Sequence, residues 1–336
     1  MRKEARRAGI VGIGSYVPQK VLTNSELEKM VETNDDWIVT RTGISERRIA
    51  ANNEAASDFA VKAAQAALKT ANLKPEDIDL VICATITGDM PLPATASIVQ
   101  HKLGVPQSPA FDLQAGCSGF IYALQVADSL VLDGSYTRVL VIGVDLLSRL
   151  TDWTDRNTCI LFGDAAGAAV VAPVDGDSGI LSFYLGSDGS GAELLMTPAG
   201  GSRIPATHST VENNMHFIKM NGREVFKFAV RIMGDAAVEA LNRAGFTPED
   251  VDVLVPHQAN TRIINAAAER LGLPAEKVFV NVNKYGNTSA ASIPLALDEA
   301  YQNGAIKTGD LVVAVGFGAG LTWGASVIRW GMEKSK

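Results

Sequence analysis

Ala-Ala-Leu-Lys-Thr-Ala-Asn-Leu-Lys-Pro-Glu-Asp-Ile-Asp, residues Ala66 to Asp79, returns as Glu-Ala-Leu-Asn-Arg-Ala-Gly-Phe-Thr-Pro-Glu-Asp-Val-Asp at Glu239 to Asp252. Each copy reads as the end of an alanine-rich helix, a Pro-Glu-Asp turn and the entry to an apolar strand. Pro75 falls on Pro248, an offset of 248 − 75 = 173 residues. The same offset carries Val139–Gly143 onto Val312–Gly316, and Ala123-Leu124 onto Ala296-Leu297. One offset holding at three separated places signals an internal duplication. Helical and strand patterns alternate (Ser57–Thr70 helical, Ile78–Thr85 a strand), so the chain reads as α/β. Two duplicated βα halves are expected, residues 1–176 and 177–336, with mainly parallel strands and right-handed crossovers.

Composition narrows the functional class. The 336 residues are 47% hydrophobic and 20% charged with a net charge of −7, which argues against a general nucleic-acid binder. Three cysteines, Cys83, Cys117 and Cys159, show no CxxC spacing. That excludes a disulfide framework and a structural zinc site, and suits a reducing, cytoplasmic compartment. Arg2, Lys3, Arg6 and Arg7 resemble the start of a leader, but the apolar run after them is short and stopped by Pro18. Leu311 to Ile328 carries no charge, yet Gly316, Gly318, Gly320 and Gly324 break it into two buried strands around a turn, not a membrane span.

The chemistry-bearing stretch is Asp-Leu-Gln-Ala-Gly-Cys-Ser-Gly-Phe, Asp112 to Phe120. Phe120, Ile121, Leu124, Ala127, Leu130 and Val131 then recur at helical spacing, so Cys117 sits where a buried helix begins. A helix N-terminus favours thiolate over thiol. A lone cysteine is also a good small core residue, and this stretch alone leaves both readings open. The duplication weighs in. Cys117 falls on Ala290, close to Tyr285-Gly-Asn-Thr-Ser289, while Ala84 and Thr85 fall on His257 and Gln258 at a strand end. Sites in α/β sheets lie at the carboxyl ends of strands, so Cys117, His257 and Asn287 are expected at one face, near the axis relating the halves. Asn287 after Gly286 also suits a turn residue or helix N-cap.

Other stretches weigh less. Gly316-Phe-Gly-Ala-Gly-Leu-Thr-Trp-Gly324 lacks the Lys-Ser/Thr of a phosphate loop and reads as a tight turn presenting N–H groups to an oxyanion. Phe162-Gly-Asp-Ala-Ala-Gly167 reads as a tight strand-to-helix connection. Asp35 to Arg48 reads as a solvated charged face, where Trp37 beside arginines hints at a planar or phosphorylated ligand. The Cys-to-His spacing, 257 − 117 = 140, is that of papain-like hydrolases. No secretory leader or Cys-Gly-x-Cys-Trp pattern accompanies it, and the duplicated α/β pattern speaks against that class.

These residues resemble one family over essentially the whole chain: β-ketoacyl-acyl carrier protein synthase III, the initiating condensing enzyme of dissociated fatty acid synthesis. The motifs are Asp35-Asp-Trp-Ile-Val-Thr-Arg-Thr-Gly-Ile44, Ala115-Gly-Cys-Ser-Gly-Phe120, Leu161-Phe-Gly-Asp-Ala-Ala-Gly167, Val255-Pro-His-Gln-Ala-Asn260, Gly286-Asn-Thr-Ser-Ala-Ala-Ser292 and Gly316–Gly324. The resemblance implies a thiolase-like five-layer αβαβα fold, a homodimer, an acyl-CoA primer such as acetyl-CoA, malonyl-acyl carrier protein as second substrate, and no metal or other cofactor. It makes Cys117 the acylated nucleophile and sets His257 and Asn287 on the malonyl group. Phe317 shapes that site, and Gly318, Ala319 and Gly320 supply the oxyanion loop. Trp37, Arg41 and Arg156 match positions that hold coenzyme A, Asn260 the pantetheine tunnel, Arg262 and Lys227 the face toward the carrier protein, and Leu92 a residue reaching the partner subunit's acyl pocket. An acyl-CoA condensing enzyme of secondary metabolism is the alternative, and a Cys-His-Asn hydrolase a distant one. A degradative thiolase would need a second cysteine in the last glycine loop, and none follows Cys159.

Overall fold

The computed structural model describes residues 7–333; Arg2, Lys3 and Arg6 of the basic N-terminal cluster lie outside them. One sheet is built from β1 (Arg7–Tyr16), β2 (Leu80–Ala84), β3 (Ala110–Leu113), β4 (Val139–Leu146) and β5 (Asp164–Val174), in the order β1-β5-β4-β2-β3. The second holds β6 (Gly179–Ser187), β7 (Val253–Pro256), β8 (Leu311–Gly318) and β9 (Thr322–Arg329), in the order β7-β8-β9-β6. The seven helices that matter to the site are α1 (Asp35–Thr42), α2 (Ala56–Ala71), α3 (Thr95–Leu103), α4 (Gly119–Leu132), α5 (Gly222–Ala244), α6 (Thr261–Arg270) and α7 (Ser292–Asn303).

Apolar periodicity sorts the helices into layers. Phe120, Leu124 and Ala127 of α4 and Ile293, Leu297 and Ala300 of α7 pack together with Ile82 and Val141 of one sheet and Val255 and Val312 of the other. The two helices are thus buried between the sheets, which is why α4 is apolar over most of its surface and α7 is buried along most of its length, its acids and amides gathered in its second half. On the outer face of the first sheet, Phe59 and Ala63 of α2 and Val99 of α3 meet Val81, Ile142 and Val170. On the outer face of the second, Ala229 and Met233 of α5 and Ala267 of α6 meet Leu254, Val313 and Val327. Helix, sheet, helix, sheet, helix makes the five-layer thiolase-like arrangement.

The duplication is visible residue by residue. The 3-10 turns Pro75–Asp77 and Pro248–Asp250, the turns Gly116–Ser118 and Ser289–Ala291, and the starts of α4 and α7 at Gly119 and Ser292 all lie 173 positions apart. The expectation of mainly parallel strands needs correcting. β2 runs parallel to β3 and β4, and β7 parallel to β8. Antiparallel pairs join β1 to β5, β4 to β5, β8 to β9, and β9 to β6. For one of these pairs the reason is connection length. β8 and β9 are separated by three residues, 319–321, and so short a link returns a strand only antiparallel.

Two further expectations change. Phe162–Gly167 leads into β5, not a helix; the Asp164 carboxylate accepts the N–H of Ala50 at 2.7 Å and the Ser148 hydroxyl at 2.6 Å. The Asp35–Arg48 stretch is not simply a solvated face. Arg47 is fully buried and donates to the carbonyls of Leu22 (3.1 Å) and Ile160 (2.8 Å) and to Asn24 Oδ1 (2.9 Å). The uncharged run from Leu311 to Ile328 is the β8–β9 hairpin, and among the described residues no helix is long and apolar enough to cross a membrane.

Phe120 lies at the centre of the middle layer with no exposed surface. Replacing it by alanine should cost about 3–5 kcal/mol, the range for a buried aromatic whose cavity cannot collapse between two sheets. Urea unfolding measures this, and a loss under about 1 kcal/mol would show a middle layer free to close around the gap.

Candidate active site

Cys117 lies in the Gly116–Ser118 turn that joins β3 to α4. The 318–320 backbone packs directly on this turn: a Cβ on Gly318 would overlap the Cys117 nitrogen, and one on Gly116 would come within 2.9 Å of the Ala319 nitrogen. Only glycine tolerates that approach. The Thr322 hydroxyl donates to the Ala115 carbonyl at 2.9 Å and lies 2.9 Å from the Ser118 hydroxyl, tying the turn to β9. The amides of the 318–320 loop are thereby brought alongside that of Cys117.

The thiol is not poised as a thiolate in this structure. Burial, with a smaller contribution from the Asp145 carboxylate, pushes the Cys117 thiol up to about 12, against the stabilising Ser289 hydroxyl and the cysteine's own N–H. The expectation that a helix end would favour thiolate is overturned on magnitudes. A helix terminus contributes about 0.3–1 kcal/mol within its first turn, under one pKa unit. Here α4 begins only at Gly119, and desolvation is larger.

His257 follows β7. Its N–H donates to the Val315 carbonyl at 2.7 Å, so β8 holds its backbone, and its Nδ1 sits 2.5 Å from Ser292 Oγ at the first residue of α7. The ring meets Phe317 edge-on, centroids 5.6 Å apart. Burial pushes its pKa down to about 3, which leaves the imidazole neutral. Asn287 is clamped by the backbone of the 161–163 segment: its N–H donates to the Leu161 carbonyl (2.8 Å) and its carbonyl accepts from the Gly163 N–H (3.0 Å). Its Oδ1 accepts the Ser289 N–H at 2.8 Å, an assignment that turns Nδ2, a donor, to the cavity. Asn287 thus makes the turn bond of the turn-residue reading and also lines a cavity with Cys117 and His257.

Two cavities meet at Cys117. One, of about 110 Å³, is lined by Cys117, His257, Asn287, Phe317, Gly318 and Asn260. The other, of about 490 Å³, runs from Cys117, Ala319 and Gly320 to an apolar wall including Ile86, Leu150 and Ile218. Trp37, Arg41 and Arg156 form a cluster of their own, the two guanidinium carbons 4.4 and 4.5 Å from the Trp37 ring centroid. Asn260 links that cluster to the cavity: its Nδ2 donates to the Arg41 carbonyl at 2.8 Å. Arg262 lies over the Phe226 ring at 5.0 Å, and Phe226 lines the smaller cavity. Lys227, exposed, pairs with Glu224 at 2.7 Å. Leu92 is 85% exposed and lines neither cavity of its own chain. Sequence reading missed Asp145, Ser289, Ser292 and Phe162. Only Asp145 carried a signal, being the one acid in the apolar strand Val139–Leu146.

Comparison with known proteins follows this geometry. A family model described as 3-oxoacyl-[acyl-carrier-protein] synthase III matches residues 111–189, and its C-terminal counterpart matches 241–330. The β-ketoacyl-[acyl-carrier-protein] synthase III of Caldanaerobacter subterraneus subsp. tengcongensis is 60% identical over 323 residues, 96% of this chain and 98% of the relative. This chain belongs to the β-ketoacyl-acyl carrier protein synthase III family. The synthase III of Symbiobacterium thermophilum is 58% identical over 326 residues, 97% of this chain and 99% of its own. The crystal structure of 3-oxoacyl-[acyl-carrier-protein] synthase III from Aquifex aeolicus VF5 superposes with a TM-score of 0.90 at 50% identity, covering 96% of this chain and 100% of that one. The two synthase III windows contain Cys117, Arg156, His257 and Asn287, whereas Trp37, Arg41, Leu92 and Lys227 fall outside them.

The neutral imidazole has a pH signature in this synthase III chain. Its folded pKa, about 3, lies below the ordinary ~6.5, so the unfolded chain protonates first as pH falls. The stability contributed by His257 is whole above about pH 6.5 and is lost progressively toward about pH 3. Nitrogen-15 spectra of histidine-labelled protein should report a neutral His257 ring from about pH 8 to about pH 5. A midpoint near 6.5 would contradict the desolvation.

Proposed function

We propose that this chain joins an acyl-CoA primer to malonyl-acyl carrier protein, with loss of carbon dioxide, to give a 3-oxoacyl-acyl carrier protein. The observation that carries this reading is that Cys117 stands where an apolar cavity meets a second one lined by two neutral donors, His257 and Asn287. The Cys117 sulfur attacks the primer thioester, with the oxyanion held by the Cys117 N–H and the Gly318–Gly320 loop. The acyl group lies in the apolar cavity while coenzyme A leaves by the smaller one, toward Asn260 and the Trp37–Arg41–Arg156 cluster. Malonyl-carrier then enters the same way. Decarboxylation produces an enolate whose thioester oxygen takes hydrogen bonds from His257 and Asn287, and the carbanion attacks acyl-Cys117. Neutral N–H donors serve this enolate, so the proposal invokes no metal or cofactor.

Arg262, over the Phe226 ring that lines the smaller cavity, and Lys227, the next residue along α5, suit an acidic carrier protein. The same reading includes a homodimer. β3 is an edge strand, with Phe111 38% exposed, and Asp112 accepts the N–H groups of Thr95 and Ala96 at 2.7 Å, tying β3 to the helix that follows the Leu92 loop. An unpaired edge beside apolar side chains favours pairing with a second copy. The three free, buried cysteines suit a cytoplasmic setting.

The two half-reactions should separate by mutation. Cys117→Ala should abolish condensation yet keep releasing carbon dioxide from malonyl-carrier. His257→Ala and Asn287→Ala should still take an acyl group on Cys117 but decarboxylate about 10²–10³-fold more slowly, the usual loss for one oxyanion donor. Labelled carbon dioxide release beside intact-protein mass reads both. His257→Ala losing acylation and keeping decarboxylation would return the hydrolase-like pairing.

Primer size is open to a second test. The 490 Å³ cavity is about three times the engineered cavity that accommodates benzene, more room than an acetyl group uses. Isobutyryl-CoA should therefore acylate Cys117 at least as fast as acetyl-CoA in stopped-time mass measurements. Acetyl-CoA alone reacting would show that the cavity is filled in the assembled enzyme.

A further inference from the structure

Acylation leaves one proton unaccounted for. Cys117 rests as a thiol, and forming its thioester requires that proton to leave the sulfur. His257 is poorly placed to take it: its Nδ1 is held by Ser292, its ring is packed against Phe317, and the structure shows no hydrogen bond between it and Cys117.

Ser289 is different. It is fully buried and lines the larger cavity with Cys117, and its hydroxyl finds no partner at standard hydrogen-bond geometry. The neighbours that feel it are the Cys117 thiol and the Asp145 carboxylate. Its backbone is strained, with φ at +51°, a conformation a serine adopts at a cost of order 1–3 kcal/mol. The other half of the molecule shows what the fold itself asks for there. The position 173 residues earlier is Gly116, with φ at +53°, where glycine meets the same turn without penalty. Serine in the second half therefore keeps a side chain where the turn favours none, and that side chain ends in a hydroxyl that makes no geometric hydrogen bond yet is felt by both the Cys117 thiol and the Asp145 carboxylate.

Asp145 has no exposed surface, and no ion pair among the described residues reaches it. Its Oδ1 accepts from Thr85 Oγ1 (3.1 Å), Ile86 N–H (2.8 Å) and Thr87 Oγ1 (2.9 Å). Among the described residues its Oδ2 takes one geometric hydrogen bond, from the N–H of Ala290, the residue after Ser289, at 3.2 Å, so this oxygen has room for another proton. Burial raises its pKa, which makes it a better proton acceptor than an exposed carboxylate. Other titratable groups in this region include His257, which lines the smaller cavity with Cys117, and Cys83, whose thiol feels the Asp112, Asp145 and Asp89 carboxylates.

We propose that Ser289 carries the Cys117 thiol proton to Asp145 Oδ2 during acylation, a step that rests on the condensing reading above. Ser289 gives its hydroxyl proton to the carboxylate as it takes the proton of the thiol, and the sulfur forms its bond to the carbonyl carbon. Both sulfurs are then attached to one carbon. When the bond to the coenzyme A sulfur breaks, the proton returns through Ser289 to that leaving sulfur. The sum is a thiol and a thioester exchanged for a thioester and a thiol, with no net proton change. Ser289 is a catalytic residue in this step, and Asp145 acts through it.

Ser289→Gly tests this without straining the turn, because glycine already occupies the equivalent position in the other half. The measurements, on the full chain, are single-turnover acylation of Cys117 by acetyl-CoA and carbon dioxide release from malonyl-carrier. The variant should acylate about 10²-fold more slowly, the lower end of the range for proton-transfer catalysis, and decarboxylate within about twofold of wild type. Its acylation rate should then climb about tenfold per pH unit between roughly pH 7 and 9, as free thiolate replaces the relay, while that of wild type stays flatter. Equal loss in both half-reactions, or a slowed acylation with wild-type pH dependence, would make Ser289 structural and overturn the proposal. Unchanged acylation in Ser289→Gly would overturn it as well. Failure of wild type to acylate Cys117 at all would instead strike the condensing reading.

Discussion

The backbone at Gly318 and Ala319 lies directly against the backbone of the turn at Gly116 and Cys117, and the site depends on that contact. Gly318 and Gly116 admit it, and Thr322 secures it with a hydrogen bond to the Ala115 carbonyl. Because the two segments belong to different halves of the duplication, this contact also fixes how the halves meet. The same closeness recurs nearby: a Cβ on Gly143 would overlap the Ala290 carbonyl. The two buried helices α4 and α7 begin from these turns, so their packing between the sheets and the alignment of the site are one constraint.

Enclosure by this packing sets the electrostatics. A buried site disfavours charge on every titratable group within it, whatever its sign. The Cys117 thiol moves up to about 12, the His257 imidazole down to about 3, and Asp145 upward. The resting centre is therefore a thiol beside neutral donors. Such a centre suits an enolate, whose negative charge appears only during reaction and meets N–H groups already in place.

Outside the two cavities the logic is reversed. Trp37, Arg41 and Arg156 hold two guanidinium groups on one aromatic ring near solvent, an arrangement suited to planar and phosphorylated ligands. Arg47 is buried with no ion pair among the described residues; its two terminal nitrogens donate to two carbonyls and an amide oxygen, while its Nε has no partner. Asn24 takes a bond from Arg47 and donates to Asp35 at 2.8 Å, so the buried arginine reaches the first residue of α1, the helix that carries Trp37 and Arg41.

The sequence by itself determined the duplication, the helices and strands that repeat at 173 residues, and the meeting of Cys117, His257 and Asn287. Each of these follows from local patterns: periodicity, turn residues and a strand end carried by symmetry from one half to the other. The direction of β5 and β9, the burial of Arg47 and the charge state of Cys117 were not legible, since each depends on what long-range packing excludes. A charged run looks solvated until a third segment covers one of its arginines. A cysteine at a helix start looks activated until both sheets have closed around it. Ser289 and Asp145 belong with these, because they are 144 residues apart in the chain (289 − 145) and acquire a shared role only where the second half sets its turn against the end of a strand from the first.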